Sequence, residues 1–589
     1  MNYALNKPVQ PAVKPSRGGP VPVAALSRLW PLVAEERTRM LLALAAVLVN
    51  SGLNLVAPFI LGLAVDRYIQ TGQYTGVLGC AGVLLLIYLL SLFASYRQMM
   101  LMGSVGQRVL FRLRNAIFSK LQELPVAFFN QNKAGDLISR INNDTDKLNQ
   151  FLAESLTRFM GNLFVMLGAA VFVLALHPGL GLMTIAPALL LLGFTRLITP
   201  WVKERNAASL RSVGGLSAEI QESLEHFKVI VAFNRRDYFR SRFQAANAAN
   251  YTASLRAGIA NNIFTPVYEL MYHLAQIGVL AYGLLLISQG GLSVGLLIAF
   301  LTYVNRFYDP MRQIAMLWSS FQLALVSWER ISQLLALESD LPELPAAAPV
   351  AQAPLLSFEQ VSFHYPDGPE ILHQASFSLE QGKTYAFVGP TGGGKSTTAA
   401  LMARLYDPTS GKVLLHGRDL RTCPAEERAA SIGFILQEPF LLSGTVRDNL
   451  IYGNAACQAL APAELTARLE AAGLGKLLTR FEHGLETPVS NEGLSLGQKQ
   501  LVAFMRAILR EPGLLILDEA TANIDTVTEQ LLEEILRHLP ATTTRVIIAH
   551  RLNTIEAADE IFFINASEIV QAGSLEHAVD MLLHQQRSS

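Results

Sequence analysis

The sequence predicts an α-helical six-span transmembrane domain fused to a soluble α/β domain, and three observations carry that prediction. The 589 residues are 51% hydrophobic and only 16% charged, with a mean hydropathy of +0.32. A soluble globular chain is nearer a quarter charged, so this one carries too little polar surface to stay in water. Apolar runs long enough to cross about 30 Å of hydrocarbon occur only in roughly the first 320 residues. Beyond residue 355, short β-rich runs alternate with helical ones, as in a parallel sheet covered by helices.

Taken in order, residues 1–22 are rich in proline and contain no acid, and read as a disordered tail. Ala24 to Val33 is a short amphipathic stretch. No apolar core with a small-residue cleavage site precedes the first span, so a cleaved signal peptide is not expected. The membrane domain is expected over 23–337. Its spans fall near 39–64, 76–96, 156–177, 179–201, 262–287 and 293–317. Two short connections, His177-Pro178-Gly179 and Ser288-Gln289-Gly290-Gly291, carry no lysine or arginine, and the loop after the first span carries only Arg67. Two long connections are basic: one includes Arg108, Arg112, Arg114 and Lys120, the other Lys203, Arg205, Arg235 and Arg236. By the positive-inside rule these face the cytoplasm, and so do both termini. Each is about 55 to 60 residues of helix-compatible sequence, which as a hairpin at about 1.5 Å per residue reaches tens of Å beyond the bilayer.

Residues 338–354 are a proline and alanine linker unsuited to helix or sheet, and 355–589 form the α/β domain. Thr384 to Gly389, Ser431 to Leu436, Gly513 to Asp518 and Arg545 to His550 are compact apolar runs of the buried parallel-strand kind. The net charge of zero, 47 acids against 47 bases, excludes the strongly basic profile of a nucleic-acid binder. It is also a cancellation. Residues 1–340 hold 29 lysines and arginines against 18 acids, leaving 18 against 29 beyond. Cys80, Cys423 and Cys457 are too few and too far apart for a disulfide framework or a zinc site.

The chemistry lies in the second half. Gly389-Pro390-Thr391-Gly392-Gly393-Gly394-Lys395-Ser396 matches G-x-x-x-x-G-K-[ST] between an apolar strand and a helix that continues through Thr397. Its glycines let backbone N–H groups surround phosphate oxygens, Lys395 reaches the β and γ phosphates, and Ser396 is a ligand for Mg2+. Leu514 to Leu517 leads into Asp518 and Glu519 at the strand's carboxyl end. There Asp518 would hold the metal shell and Glu519 would polarise an attacking water. Leu494-Ser495-Leu496-Gly497-Gln498 opens a helix, and its serine reads equally as an ordinary N-cap or as a second phosphate clamp.

With these motifs in this order the chain resembles the ATP-binding cassette (ABC) exporter half-transporters, a six-span domain fused to a P-loop nucleotide-binding domain, from about residue 25 onward. Leu494 to Gln498 is similar to the family's L-S-G-G-Q signature, with Leu496 in place of the first glycine. The resemblance assigns Tyr365 to stack on adenine, Gln437 to link Mg2+ to the membrane domain, and His550 to the γ phosphate. Asp525 keeps the carboxylate of the family's S-A-L-D loop, while Asn523 and Ile524 differ. Leu124 to Asp144 and Glu222 to Phe243 occupy the places of the two coupling segments. Thr487 to Gly493 departs from the usual T-x-V-G-E-x-G, which puts the transmission contacts there in doubt.

The resemblance implies ATP and Mg2+ as cofactors and a dimer whose two nucleotide-binding domains close head to tail. ATP on Lys395, Ser396 and Tyr365 of one subunit would be capped by Ser495, Gly497 and Gln498 of the other. Glu519 and His550 are both present, which favours a homodimer over a competent half of a heterodimer. The implied activity is ATP-driven export of a hydrophobic or amphipathic substrate from a bacterial inner membrane, with a channel or regulatory ATPase as the alternative. Glu269 and His273, one helical turn apart in the fifth span, are substrate-site candidates. They read equally as a mutual pair or as residues in water near the cytoplasmic end. Asn50, Asn54, Asn162, Asn261 and Asn262 read as interhelical glue.

Overall fold

The computed structural model describes Tyr3, Leu5 and residues 34–584 except 349, 351, 367, 438, 490–492, 519–525, 549–554, 557 and 566. The chain folds as two compact units. One comprises Pro11–Leu121 and Gly135–Ala336; the other comprises Met1–Gln10, Gln122–Ala134 and Leu337–Ser589.

The first unit is helical. Hydrocarbon leaves no water to satisfy backbone N–H and C=O groups, so each span must close its own hydrogen bonds. Helices α1 (Arg37–Ile69), α2 (Tyr74–Glu123), α4 (Ala134–Leu176), α5 (Pro178–Glu225) and α7 (Arg236–Ser288) are long and apolar enough to cross a membrane. Between them lie two short helices, α3 (Val126–Gln131) and α6 (Phe227–Ala232). Helix α8 (Val294–Leu335) occupies the place of the sixth expected span but is less apolar, because Asn305, Arg306, Asp309 and Arg312 interrupt it. Its large side chains Phe300, Tyr303, Val304, Phe307 and Tyr308 turn into the bundle core. The lipid-type surface lies elsewhere: Leu85, Leu86, Leu89, Leu92 and Phe93 of α2 are exposed.

Turn chemistry sets the tight connections. His177 caps α5, its ring nitrogen accepting from Leu180 N–H at 3.3 Å, and Pro178 stands at the first helical position, where no donor is needed. Ser293 caps α8, and the Asp66 carboxylate at the end of α1 accepts from the Ser293 hydroxyl and from Gly295 N–H. Glycine is required at that crossing: a Cβ on Gly295 would lie 2.1 Å from the Gly62 carbonyl oxygen. Asparagines join helices as expected. Ser91 of α2 donates to Asn50 of α1, Asn162 of α4 donates to Gln313 of α8 at 3.2 Å, and Asn206 of α5 pairs with Asn261 of α7.

The long basic connections are helices continuous with the spans. α2 runs 27 residues past the expected span end at 96, about 40 Å at 1.5 Å per residue. At the base of α4 and α8 a charged network is buried. Arg140 Nε donates to Asp136 at 2.9 Å and its Nη1 donates to the Arg330 carbonyl at 2.6 Å. Arg330 pairs with both Asp136 and Asp144, and Asp144 also accepts from Ser327 at 3.1 Å.

The second unit contains a six-stranded sheet in the order β12-β11-β3-β10-β9-β6. Its parallel members are β3 (Thr384–Val388), β6 (Ile432–Ile435), β9 (Leu514–Asp518), β10 (Thr544–Ile548) and β11 (Glu560–Asn565), with β12 (Glu568–Gln571) antiparallel at the edge. Both faces are covered. Leu514 and Ile516 of β9 enter one core while Leu515 and Leu517 enter another, which is why these strands read as unbroken apolar runs. An antiparallel sheet β2-β1-β4-β5 adjoins, built from β1 (Leu356–His364), β2 (Glu370–Leu379), β4 (Ser410–Leu415) and β5 (Arg418–Asp419).

Two expectations about connecting segments change. Described residues of the 338–354 linker are without helix or strand, yet they are tied down: Leu344 N–H donates to the Arg421 carbonyl, Val350 N–H to the His416 carbonyl, and Arg404 Nη2 to the Pro342 carbonyl. Hydrogen bonds from backbone and arginine fix a sequence that has no ladder of its own. Within the expected disordered tail, Tyr3 is 2% exposed. A tyrosine whose polar atoms all find partners can be buried without periodicity around it.

Candidate functional site

The carboxyl ends of the parallel strands gather the expected residues on one edge of the sheet. The glycine-rich loop leaves β3, Gln437 lies two residues past β6, and Asp518 is the last residue of β9. Adjacent parallel strands bring their ends together, so this is where an open α/β sheet binds ligands.

The loop conformation is one that only glycine supports. Gly389, Gly392 and Gly394 have φ of +147°, +82° and +111°. A Cβ on Gly389 would lie 2.1 Å from the Ile564 carbonyl oxygen, and one on Gly393 would lie 2.7 Å from the same atom. The absence of a Cβ at these two positions therefore lets the loop backbone lie directly against β11 (Glu560–Asn565). Gly389→Ala carries an expected cost of about 1 to 3 kcal/mol in loop geometry. That corresponds to ATP affinity lower by about 5- to 150-fold. Titration with a fluorescent ATP analogue measures it, and unchanged affinity would refute the role of this close approach.

Lys395, nearly buried at the start of the helix Lys395–Met402, reaches over the loop to the carbonyls of Gly389 and Pro390 at 2.9 and 3.0 Å. Ser396 donates to the Asp518 carboxylate at 3.2 Å. The structure thus joins two of the three residues, Ser396, Asp518 and Gln437, that sequence reasoning gave to the metal. Gln437 is exposed. Tyr365 is half-buried, its hydroxyl 3.2 Å from the Thr397 hydroxyl.

Ser495 caps the helix Leu496–Ile508. Its side chain accepts from Gln498 N–H at 3.2 Å while its own N–H donates to Gln498 Oε1 at 3.0 Å, a reciprocal capping box. Among the described residues no hydrogen bond links Ser495, Gly497 or Gln498 to the glycine-rich loop of the same chain. Upstream, β8 (Pro488–Val489) pairs antiparallel with β7 (Gly444–Thr445), so part of the divergent segment before the signature has a fixed place. Glu519, Asp525 and His550 lie outside the described residues. In sequence, Glu519 and His550 come one and two residues after Asp518 and Ile548, the last residues of β9 and β10.

Glu269 and His273 are both exposed on α7 and share no hydrogen bond or ion pair among the described residues. His273 instead approaches Gln276 at 3.4 Å. The mutual-pair reading therefore fails, for want of contact between the side chains.

Sequence reasoning missed Tyr406. It follows the helix Lys395–Met402, its hydroxyl accepts from Asn130 of α3 at 2.8 Å, and its ring meets that of Tyr365 at 5.2 Å. Burial pushes its phenol above the ordinary range, the Asn130 hydrogen bond opposing. Nothing in the local sequence distinguishes it from a turn residue before Asp407-Pro408.

Comparison with known proteins agrees with this geometry. The family pattern described as "ABC transporter transmembrane region" matches residues 40–311, and that described as "ABC transporter" matches residues 372–522. An uncharacterized ABC transporter ATP-binding protein, YfiC of Bacillus subtilis (strain 168), is 32% identical over 557 residues, covering 94% of this chain and 92% of that protein. A multidrug resistance ABC transporter ATP-binding and permease protein of Lactococcus lactis subsp. cremoris (strain MG1363) is 29% identical over 503 residues, 84% of each chain. The solved structure of a bacterial Atm1-family ABC exporter with ATP bound superposes with a TM-score of 0.76 at 27% identity, covering 94% of this chain and 99% of that one. With the nucleotide loop at the sheet edge, the multi-pass helical unit beside it in sequence, and both family patterns in that order, the chain belongs to the ABC transporter family as an exporter half-transporter that couples ATP hydrolysis to export.

Proposed function

We propose that this chain pairs with a second copy of itself in a bacterial inner membrane, both termini cytoplasmic, and exports a hydrophobic or amphipathic compound by alternating access. The observation that carries the reading is the glycine-only phosphate cradle, with Ser396 on Asp518, in a chain whose other unit is a bundle of membrane-length helices.

Within that reading the backbone of Gly389 to Gly394 holds the phosphates, Lys395 counters the β and γ charge, and Tyr365 stacks on adenine. Ser396, Asp518 and Gln437 offer hard oxygen donors that suit Mg2+, which when bound neutralises phosphate charge. Glu519 accepts the proton of the attacking water and His550 contacts the γ phosphate. Ser495, Gly497 and Gln498, at the end of a thirteen-residue helix, cap the ATP held by the other subunit, with Asp525 at the shared seam. ATP then favours the closed dimer because only that state completes both clamps.

A second chain is supported by α6 and the residue after it, where Phe227, Val229 and Phe233 stand exposed beyond the spans. An apolar tip in water is the mark of a surface that another protein covers. Glu269 and His273 are too costly to face lipid, which supports placing them on a water-filled path for substrate.

The test is reconstitution in liposomes. Expected is ATP-dependent movement of an amphipathic dye with stimulated hydrolysis, in a complex whose mass is twice that of one chain. Ion conductance without ATP-driven transport would overturn the exporter assignment, and a second polypeptide in the native complex would overturn the homodimer.

A further inference from the structure

Tyr3 is buried between two segments that are distant in sequence. Its ring meets that of Phe128, itself fully buried in α3, edge-on at 6.2 Å. Its N–H donates to Gln131 Oε1 at 2.7 Å, and its carbonyl accepts from Asn132 Nδ2 at 2.9 Å. Leu5 N–H donates to Asn132 Oδ1 at 3.0 Å. On the other side, the Tyr3 hydroxyl donates to the Glu338 carbonyl at 3.1 Å and accepts from Asp340 N–H at 2.7 Å. Burial, with Asp340 beside it, holds the phenol above its ordinary range, so the hydroxyl keeps the proton it donates.

What Tyr3 joins gives these contacts meaning. Among the described residues the chain passes between its two folding units at 121–122, 134–135 and 336–337. Tyr3 grips the segment bounded by the first two crossings and the two residues Glu338 and Asp340 just beyond the third. From the segment it grips, contacts continue inward. Asn130 of α3 donates to Tyr406, Tyr406 meets Tyr365 edge-on at 5.2 Å, and the Tyr365 hydroxyl lies 3.2 Å from Thr397 in the helix that follows the phosphate loop. Every residue in this series belongs to one folding unit. A simple anchor for a chain end would need only one of these surfaces; Tyr3 satisfies donors and acceptors on both.

We propose that Tyr3 is a positioning residue for nucleotide binding: it clamps α3 to the start of the linker, so that Asn130 fixes Tyr406 and Tyr406 backs Tyr365. The inference rests on the assignment of Tyr365 to adenine made above. Its consequence is that the first few residues set ATP affinity without touching ATP.

The test uses the full-length protein in lipid nanodiscs, with ATP as the probe. Tyr3→Ala is expected to raise KM for ATP about 5- to 10-fold, the scale of about one net hydrogen bond or slightly more, with kcat within about twofold. Tyr3→Phe keeps the ring on Phe128 but loses the bonds to Glu338 and Asp340, and should give an intermediate KM. Tyr406→Phe should raise KM as well, and the double variant Tyr3→Ala/Tyr406→Phe should be no worse than the stronger single, because both act through one series of contacts. Amide exchange in residues 126–132 should quicken in Tyr3→Ala. Unchanged KM in Tyr3→Ala while Tyr365→Ala raises it would overturn the inference, as would fully additive effects in the double variant. Unchanged KM in Tyr365→Ala would instead remove the adenine assignment, a distinct failure.

Discussion

A Glu519→Gln protein is expected to bind ATP with near-normal affinity and hydrolyse it about 10²- to 10⁴-fold more slowly. The amide has the shape of the carboxylate but cannot accept the proton of an attacking water. The position argues for the role: β9 lies between β10 and β6, all five of its residues are buried, and Asp518 at its end receives the Ser396 hydroxyl. Glu519 follows Asp518 directly in sequence. Because ATP would still complete both clamps, the variant should accumulate as a closed, ATP-loaded dimer. Phosphate release and retained nucleotide on the purified protein read the two halves of this expectation. Hydrolysis at full rate would remove Glu519 from the base role.

The buried charges at the base of α4 and α8 give the second large effect, and its sign depends on which partner is removed. Arg140 is 1% exposed and faces Asp136. Asp136→Ala strips that guanidinium of the carboxylate beside it and deprives Arg330 of one of its two acids. Removing one partner of a buried pair typically costs about 3 to 5 kcal/mol, because the remaining charge stays desolvated without compensation. Arg140→Met should cost distinctly less, since Asp136 keeps Arg330 and the methionine stem fills much of the space. Thermal inactivation of the two variants in detergent ranks them. A greater loss in Arg140→Met would refute the account.

Much of this architecture is written in the sequence because its physics is local. A span must be apolar for its whole length, and a strand buried on both faces must be an unbroken apolar run, so five spans can each be read inside one long helix and the strands β3, β6, β9 and β10 within a few residues. The sixth was harder for the same reason: α8 spends its large apolar residues on the bundle core and carries Asn305, Arg306 and Asp309 besides. The phosphate loop is legible because backbone geometry there admits only glycine. Tyr3 and Tyr406 were not legible. Each acts through partners more than 120 residues away, and a single buried tyrosine in irregular sequence has no period to betray it. The family resemblance supplied the coupling segments. What it could not supply is that α3 shares a folding unit with the nucleotide site whereas α6 does not.

That last difference bears on how the ATPase half can be prepared. A fragment cut at the linker, from residue 338 or 355 onward, is continuous in sequence but is not the unit the chain folds. It lacks residues 122–134, and with them Pro125 and Ala127, which wall one side of a groove of about 430 Å³ completed by Asp340, Phe363, Leu405 and Tyr406. Such a fragment would uncover the opposite side of the groove, Phe363, Leu405 and Tyr406, and would hold Tyr406 without Asn130. Its affinity for nucleotide would describe a truncated surface, and a peptide spanning 122–134 added in trans is the reagent that would restore the missing wall.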